Sequence, residues 1–175
     1  MNGGSTQVRS VYIWVTEGTW RASVDAALNL VPAGAEFTLL HVTPAAVTDA
    51  ARGAYLGLFG RGGHDPGAKV AELAAASAAD LLAAAADRLG SRCKRLEIQG
   101  QAERAVVRAA ADADLLVMAR DGDQSRLGPK SLGRTARFIL DHAACAVLLV
   151  WPESAPGVGT LPPPPHPPSP PDRST

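Results

Sequence analysis

Val11-Tyr12-Ile13-Trp14-Val15-Thr16-Glu17-Gly18-Thr19-Trp20 changes its periodicity within a single short stretch. Val11 to Val15 is a β-branched and aromatic run, the pattern of a buried strand. Thr16 to Thr19 interrupts it. From Trp20 onward the apolar residues Trp20, Val24, Ala27, Leu28 and Val31 recur at helical spacing. Thr19 is placed to cap that helix, and Pro32 with Gly34 to end it. A strand that runs straight into a helix is the unit from which a parallel sheet is wound.

Working outward, the alternation repeats. Phe37 to Val42 is a second apolar run, stopped by Pro44. Residues 45–66 carry five glycines without a clear period and read as a loop. Gly67 to Leu89 is an alanine-rich helix, expected to present Val70, Leu73, Ser77, Leu81 and Ala84 on one face and to close at Gly90. Arg92 to Gln99 alternates basic, apolar and polar residues, which suits a strand near a sheet edge. Gln101 to Ala111 is helical, Leu115 to Met118 a buried strand, Leu132 to His142 a helix, and Ala146 to Val150 a last strand. Strands alternating with helices imply an α/β fold, a doubly wound parallel five-stranded sheet with helices on both faces. Such sheets bind ligands beyond the carboxyl ends of their strands, where the strand order reverses.

The chain has 175 residues, of which 46% are apolar, and a formal net charge of zero. That suits one domain with an appendage: a domain over residues 1–151 and a tail over residues 152–175. A neutral chain has no global field for a phosphate backbone, so no nucleic-acid partner is expected. Its two cysteines, Cys93 and Cys145, form no metal or redox motif. With no signal peptide at the N-terminus and no membrane-length apolar run, the expectation is a cytoplasmic protein with no membrane partner. The tail holds ten of the fourteen prolines. Leu161 to Pro168 can bury no core and reads as disordered, solvated polyproline II. Two readings of it stay open: an unselected flexible tail, or a scaffold element that recruits an SH3-like protein partner.

The succession Val11 to Val15, Gly34-Ala35-Glu36-Phe37-Thr38-Leu39-Leu40-His41-Val42, Ala113-Asp114-Leu115-Leu116-Val117-Met118 and His142 to Val150 resembles the universal stress protein family, across about residues 8–151. The resemblance implies a sheet order 3-2-1-4-5 and an ATP site at the switch between strands 1 and 4. It also implies an aspartate at the end of strand 1. A glycine signature follows strand 4: two glycines separated by two residues and, nine residues on, a glycine with a serine or threonine. Glycines let backbone N–H groups approach phosphates, and a helix N-terminus favours anions.

Mapped on this resemblance, the cofactor-binding positions are Thr16, Val42, Met118, Ala119, Gly122, Gly133, Arg134 and Thr135. Thr16 stands at the aspartate and Ala119 at the first glycine. Gly122 and Gly133 match, but ten residues separate them. Arg134 replaces the hydroxyl residue, with Thr135 next to it, and is expected to fill the γ-phosphate space. Against this, Arg120, Arg126, Lys130, Arg134 and Arg137 outnumber Asp121 and Asp123, an excess that would attract phosphate. The expectation is a degenerate nucleotide site without a bound cofactor, the alternative being an ATP-binding member with weak or no hydrolysis.

No P-loop, GxSxG or HExxH motif occurs. The loop Gly57 to His64 reads as a surface loop rather than a phosphate cradle. His41 reads as a packed residue, and no four groups gather for a metal. Glu17 is the one carboxylate near the crevice on strand 1, which is no acid/base pair, so no enzyme is expected. The resemblance further implies a homodimer through the edge strand Ala146–Trp151, which no charge guards before Pro152. The alternative is a monomer whose tail or neighbouring loop covers that edge.

Overall fold

The computed structural model describes residues 8–44, 66–90 and 93–163. The strands are β1 (Ser10–Trp14), β2 (Glu36–Pro44), β3 (Cys93–Gly100), β4 (Leu115–Ala119) and β5 (Ala146–Val150). The helices are α1 (Trp20–Leu30), α2 (Pro66–Leu89), α3 (Ala102–Ala109) and α4 (Arg134–His142). All strand pairings are parallel, in the order β3-β2-β1-β4-β5. The order expected from the resemblance is therefore the one observed, and the switch lies between β1 and β4.

Alternate residues of the strands supply two apolar layers. Val11, Ile13, Val15, Leu39 and Val117 pack with Trp20, Val24 and Ala27 of α1 and with Leu82, Ala85, Ala86 and Leu89 of α2. Trp14, Leu40, Val42, Leu116 and Met118 pack on the opposite face with Val106 of α3 and with Ala136 and Ile139 of α4. β3, at one edge, alternates half-buried and exposed side chains, as its mixed sequence requires.

Helix faces are where sequence and structure part. In α2 the buried residues are Ala78, Leu82, Ala85, Ala86 and Leu89, while Leu73 and Ala84 are exposed. An alanine-rich helix has little contrast between its faces. The stripe that meets the sheet mixes alanines with Leu82 and Leu89, and packing rather than the spacing of the larger residues alone selects it. Leu28 of α1 is likewise exposed. Thr19 does take the N-cap position, but its hydroxyl pairs with that of Thr16 and leaves the helix N–H groups alone. Gly90 closes α2 as expected, with a φ of 64° and its N–H on the Ala86 carbonyl.

The expectation of a disordered tail from Pro152 divides at Pro163. Residues 152–163 are described and include a 3-10 turn at Val158–Thr160. The proline run from 164 onward lies outside the described residues, as does the loop reading for residues 45–65 with its Gly57 to His64 segment. Among the described residues no helix is long and apolar enough to cross a membrane.

Candidate functional site

The expected site residues converge at the carboxyl ends of β1, β2 and β4. Val11, Tyr12 and Ile13 of β1 pair with Leu115, Leu116 and Val117 of β4, so Met118 and Ala119 continue beside the end of β1. Val42 lies two residues beyond Leu40, the β2 partner of Trp14. Val42, Met118 and Ala119 are buried. Thr16 follows β1, and its carbonyl accepts the N–H groups of Thr19 and Trp20.

Beyond Ala119 the chain forms a loop that closes on itself. Gly122 N–H donates to the Ser131 carbonyl at 3.1 Å, and Asp123 N–H to the Lys130 carbonyl at 2.8 Å. Glycine is required at 122 for space: a β-carbon there would collide with the Lys130 carbonyl oxygen and lie 2.7 Å from the Ser131 carbonyl carbon. The Gly122 and Asp123 amides are thus bonded within the loop itself.

The N-terminus of α4 is closed by a residue the signature does not name. Asp121 accepts the Gly133 N–H at 2.7 Å through Oδ1 and the Ala136 N–H at 3.2 Å through Oδ2. Gly133 fits the carboxylate closely, since a β-carbon there would stand 2.8 Å from Asp121 Oδ1. Asp121 acts as the N-cap that Gly133 cannot supply, and the helix dipole favours its charge. An internal carboxylate therefore occupies two of the amides at this helix N-terminus. Arg134 and Thr135 occupy the first turn of α4. The Arg134 side chain is exposed, makes no hydrogen bond among the described residues, and is not the group on those amides.

Three of the five basic residues are engaged locally. Arg120 donates through Nη1 to the buried Ser131 hydroxyl and lies 4.6 Å over the Trp151 ring. Arg126 pairs with Asp123 at 3.2 Å. Arg137 donates to the Pro129 carbonyl at 2.7 Å. Asp123 is held below the usual carboxylate range by the Ser125 hydroxyl and amide. The basic excess seen in sequence is largely the internal bonding of the loop.

A concavity of about 380 Å³ opens on the α2 side and is lined by Glu17, His41, Thr43, Pro44, Ser77 and Leu81 among others. His41 Nδ1 donates to the Val15 carbonyl at 2.8 Å. Glu17 and His41 share this cleft without bonding each other among the described residues, a proximity that sequence spacing does not reveal. Pro44, the last described residue before position 66, forms part of its rim. Among the described residues no group of three or more His, Cys, Asp or Glu could hold a metal. Burial pushes the Cys145 thiol above its usual range, which suits a packed and unreactive group.

A family model described as "Usp: Universal stress protein family" matches residues 19–150. Among solved structures, the chain is similar to hypothetical protein MJ0577, with 17% identity, a TM-score of 0.61, and coverage of 86% of this chain and 100% of that one. It is similar to a universal stress protein in complex with cAMP, with 17% identity, a TM-score of 0.58, and coverage of 85% and 100%. It is also similar to the universal stress protein UspA from Lactobacillus plantarum, with 21% identity, a TM-score of 0.56, and coverage of 83% and 99%. At such identities these structures speak to the fold. No curated protein matches the chain by sequence. The match of the family model over most of the domain, consistent with the sheet order, shows that the chain belongs to the universal stress protein family.

Proposed function

We propose that this protein is a non-catalytic, regulatory member of its family, a cytoplasmic homodimer whose nucleotide site is closed by its own groups. The observation that carries this reading is the Asp121 carboxylate on the Gly133 and Ala136 amides, where it excludes a second anion by charge and by space. Loss of the Gly122 and Asp123 amides to carbonyls of the same loop works in the same direction. Each missing cradle bond weakens binding by about 0.5–1.5 kcal/mol, more where the partner is charged, so losing several takes a micromolar site toward millimolar.

A second reading is an ATP-binding member with weak or no hydrolysis. It is favoured by the exposed Lys130 and Arg134 beside the loop, and by the neighbour solved with cAMP. Calorimetric titration of the whole chain with ATP and with cAMP separates the two. The closed-site reading expects no heat of binding at tens of micromolar; saturable binding of either nucleotide favours the second. No bound cofactor is part of the proposal, and the absence of catalysis is tested by incubating protein with ATP and following phosphate release.

A further inference from the structure

The loop after β4 is closed at its base by its own backbone, and at its tip by the tail. Beyond β5, Trp151 stacks on Arg120, and the chain bends into the turn at Val158–Thr160. The Thr160 hydroxyl donates to the Gly157 carbonyl at 2.7 Å and accepts the Leu127 N–H at 3.0 Å. Its proton and one of its two lone pairs are engaged, across 33 residues of sequence in the second case. Beside it, Gly128 adopts a φ of 119° and runs against Pro162, whose Cδ would lie 3.4 Å from a β-carbon at that position. The tail therefore touches the tip, Leu127-Gly128, while Gly122 with Ser131 and Asp123 with Lys130 hold the base.

The hold is light. Val158 is 74% and Leu161 55% exposed, so the segment's two large aliphatic side chains are turned toward solvent and contribute little burial. A segment fixed, among the described residues, by one hydrogen bond and one proline ring belongs to the low-stability end of a structure, where local opening precedes global unfolding. We propose that Pro152–Pro163 is a strap that locks the tip of the 122–131 loop, so that release of the strap opens the loop without unfolding the domain. The strap acts on the tip alone; the bonds at the loop base and the Asp121 carboxylate, by which the site's closure was read above, are separate from it.

Trypsin tests the strap directly, because Arg126-Leu127 is the peptide bond whose amide Thr160 holds. Protease needs that segment released, and cleavage reports the open population when closing is fast. Three chains are compared: the whole protein, Thr160→Val, and a chain ending at Pro152. The expected result is cleavage after Arg126 about two- to tenfold faster in Thr160→Val, the range one hydrogen bond supplies, and at least as fast in the shortened chain. Cleavage after Arg108, on α3, stays at the parent rate. Rates after Arg126 within twofold of the parent in both variants would overturn the proposal. Acceleration at Arg126 and Arg108 alike would also overturn it, since the segment would then be part of the global fold. ATP binding by the parent chain would remove the closed-site reading and leave this comparison intact. Unchanged cleavage with no ATP bound would remove the strap alone.

Discussion

Asp121 caps α4 through the Gly133 and Ala136 amides, the contact on which the proposed closure of the site rests. Asp121→Ala is expected to lose about 1 kcal/mol, the usual worth of a helix N-cap, read as a lower midpoint in denaturant. Gly122→Ala must push apart the Lys130–Ser131 backbone, which no flexible side chain can relieve. It is expected to cost about 1–3 kcal/mol, and an unchanged melting temperature would contradict the closed loop. Asp114 has a different task. It accepts the Ser10 and Arg9 amides at the entry of β1, and those bonds hold its carboxyl below the usual range. A depressed carboxyl contributes stability above its unfolded pKa, near 3.9, and loses it as pH falls through the folded value. Asp114→Ala should therefore melt lower than the parent at pH 7, and the gap should close as the pH is taken below about 4. None of these roles except glycine's is legible in sequence. Asp121 lies twelve residues from the amide it caps, and spacing alone gives it no more weight than Asp123.

At the scale of elements, periodicity made the strands and helices legible because each buries a face of the sheet. The α2 stripe was not, because alanine on every side leaves packing to choose. The five basic residues after β4 were legible as charge; that Arg120, Arg126 and Arg137 bind the loop itself was not. β5 bears the assembly prediction. Val147 and Leu149 pack on the α3–α4 face and Leu148 on the other, so neither leucine side chain points along the open edge. Backbone groups do. The Val150 carbonyl accepts the Arg120 N–H on the β4 side. Amide and carbonyl of one strand residue leave on the same side, and those of the next residue on the other. Val147 and Leu149 accordingly present theirs to the free edge. Leu149→Pro removes one of those donors while sparing the β4 ladder, a substitution edge strands tolerate. If the homodimer pairs β5 with its copy, analytical ultracentrifugation should show a dimer for the parent and a monomer for Leu149→Pro. A parent monomer across the micromolar range would remove the dimer.

For the whole molecule, the sheet order and family were open to reading from the order of motifs, while the docking of the tail was not. Composition says only that prolines bury no core. It does not say that Thr160 and Pro162 find Leu127 and Gly128. Ending the chain at Pro152 is expected to lower the melting temperature by less than about 4 °C, since the removed segment buries little apolar area; a larger drop would make the segment part of the core. The central claim is that the chain closes its own nucleotide site, and isothermal titration of the whole protein with ATP tests it most directly. The closed loop predicts no saturable heat up to tens of micromolar ATP. A saturable, stoichiometric isotherm in that range would show that the Asp121 carboxylate yields to phosphate and would contradict the account.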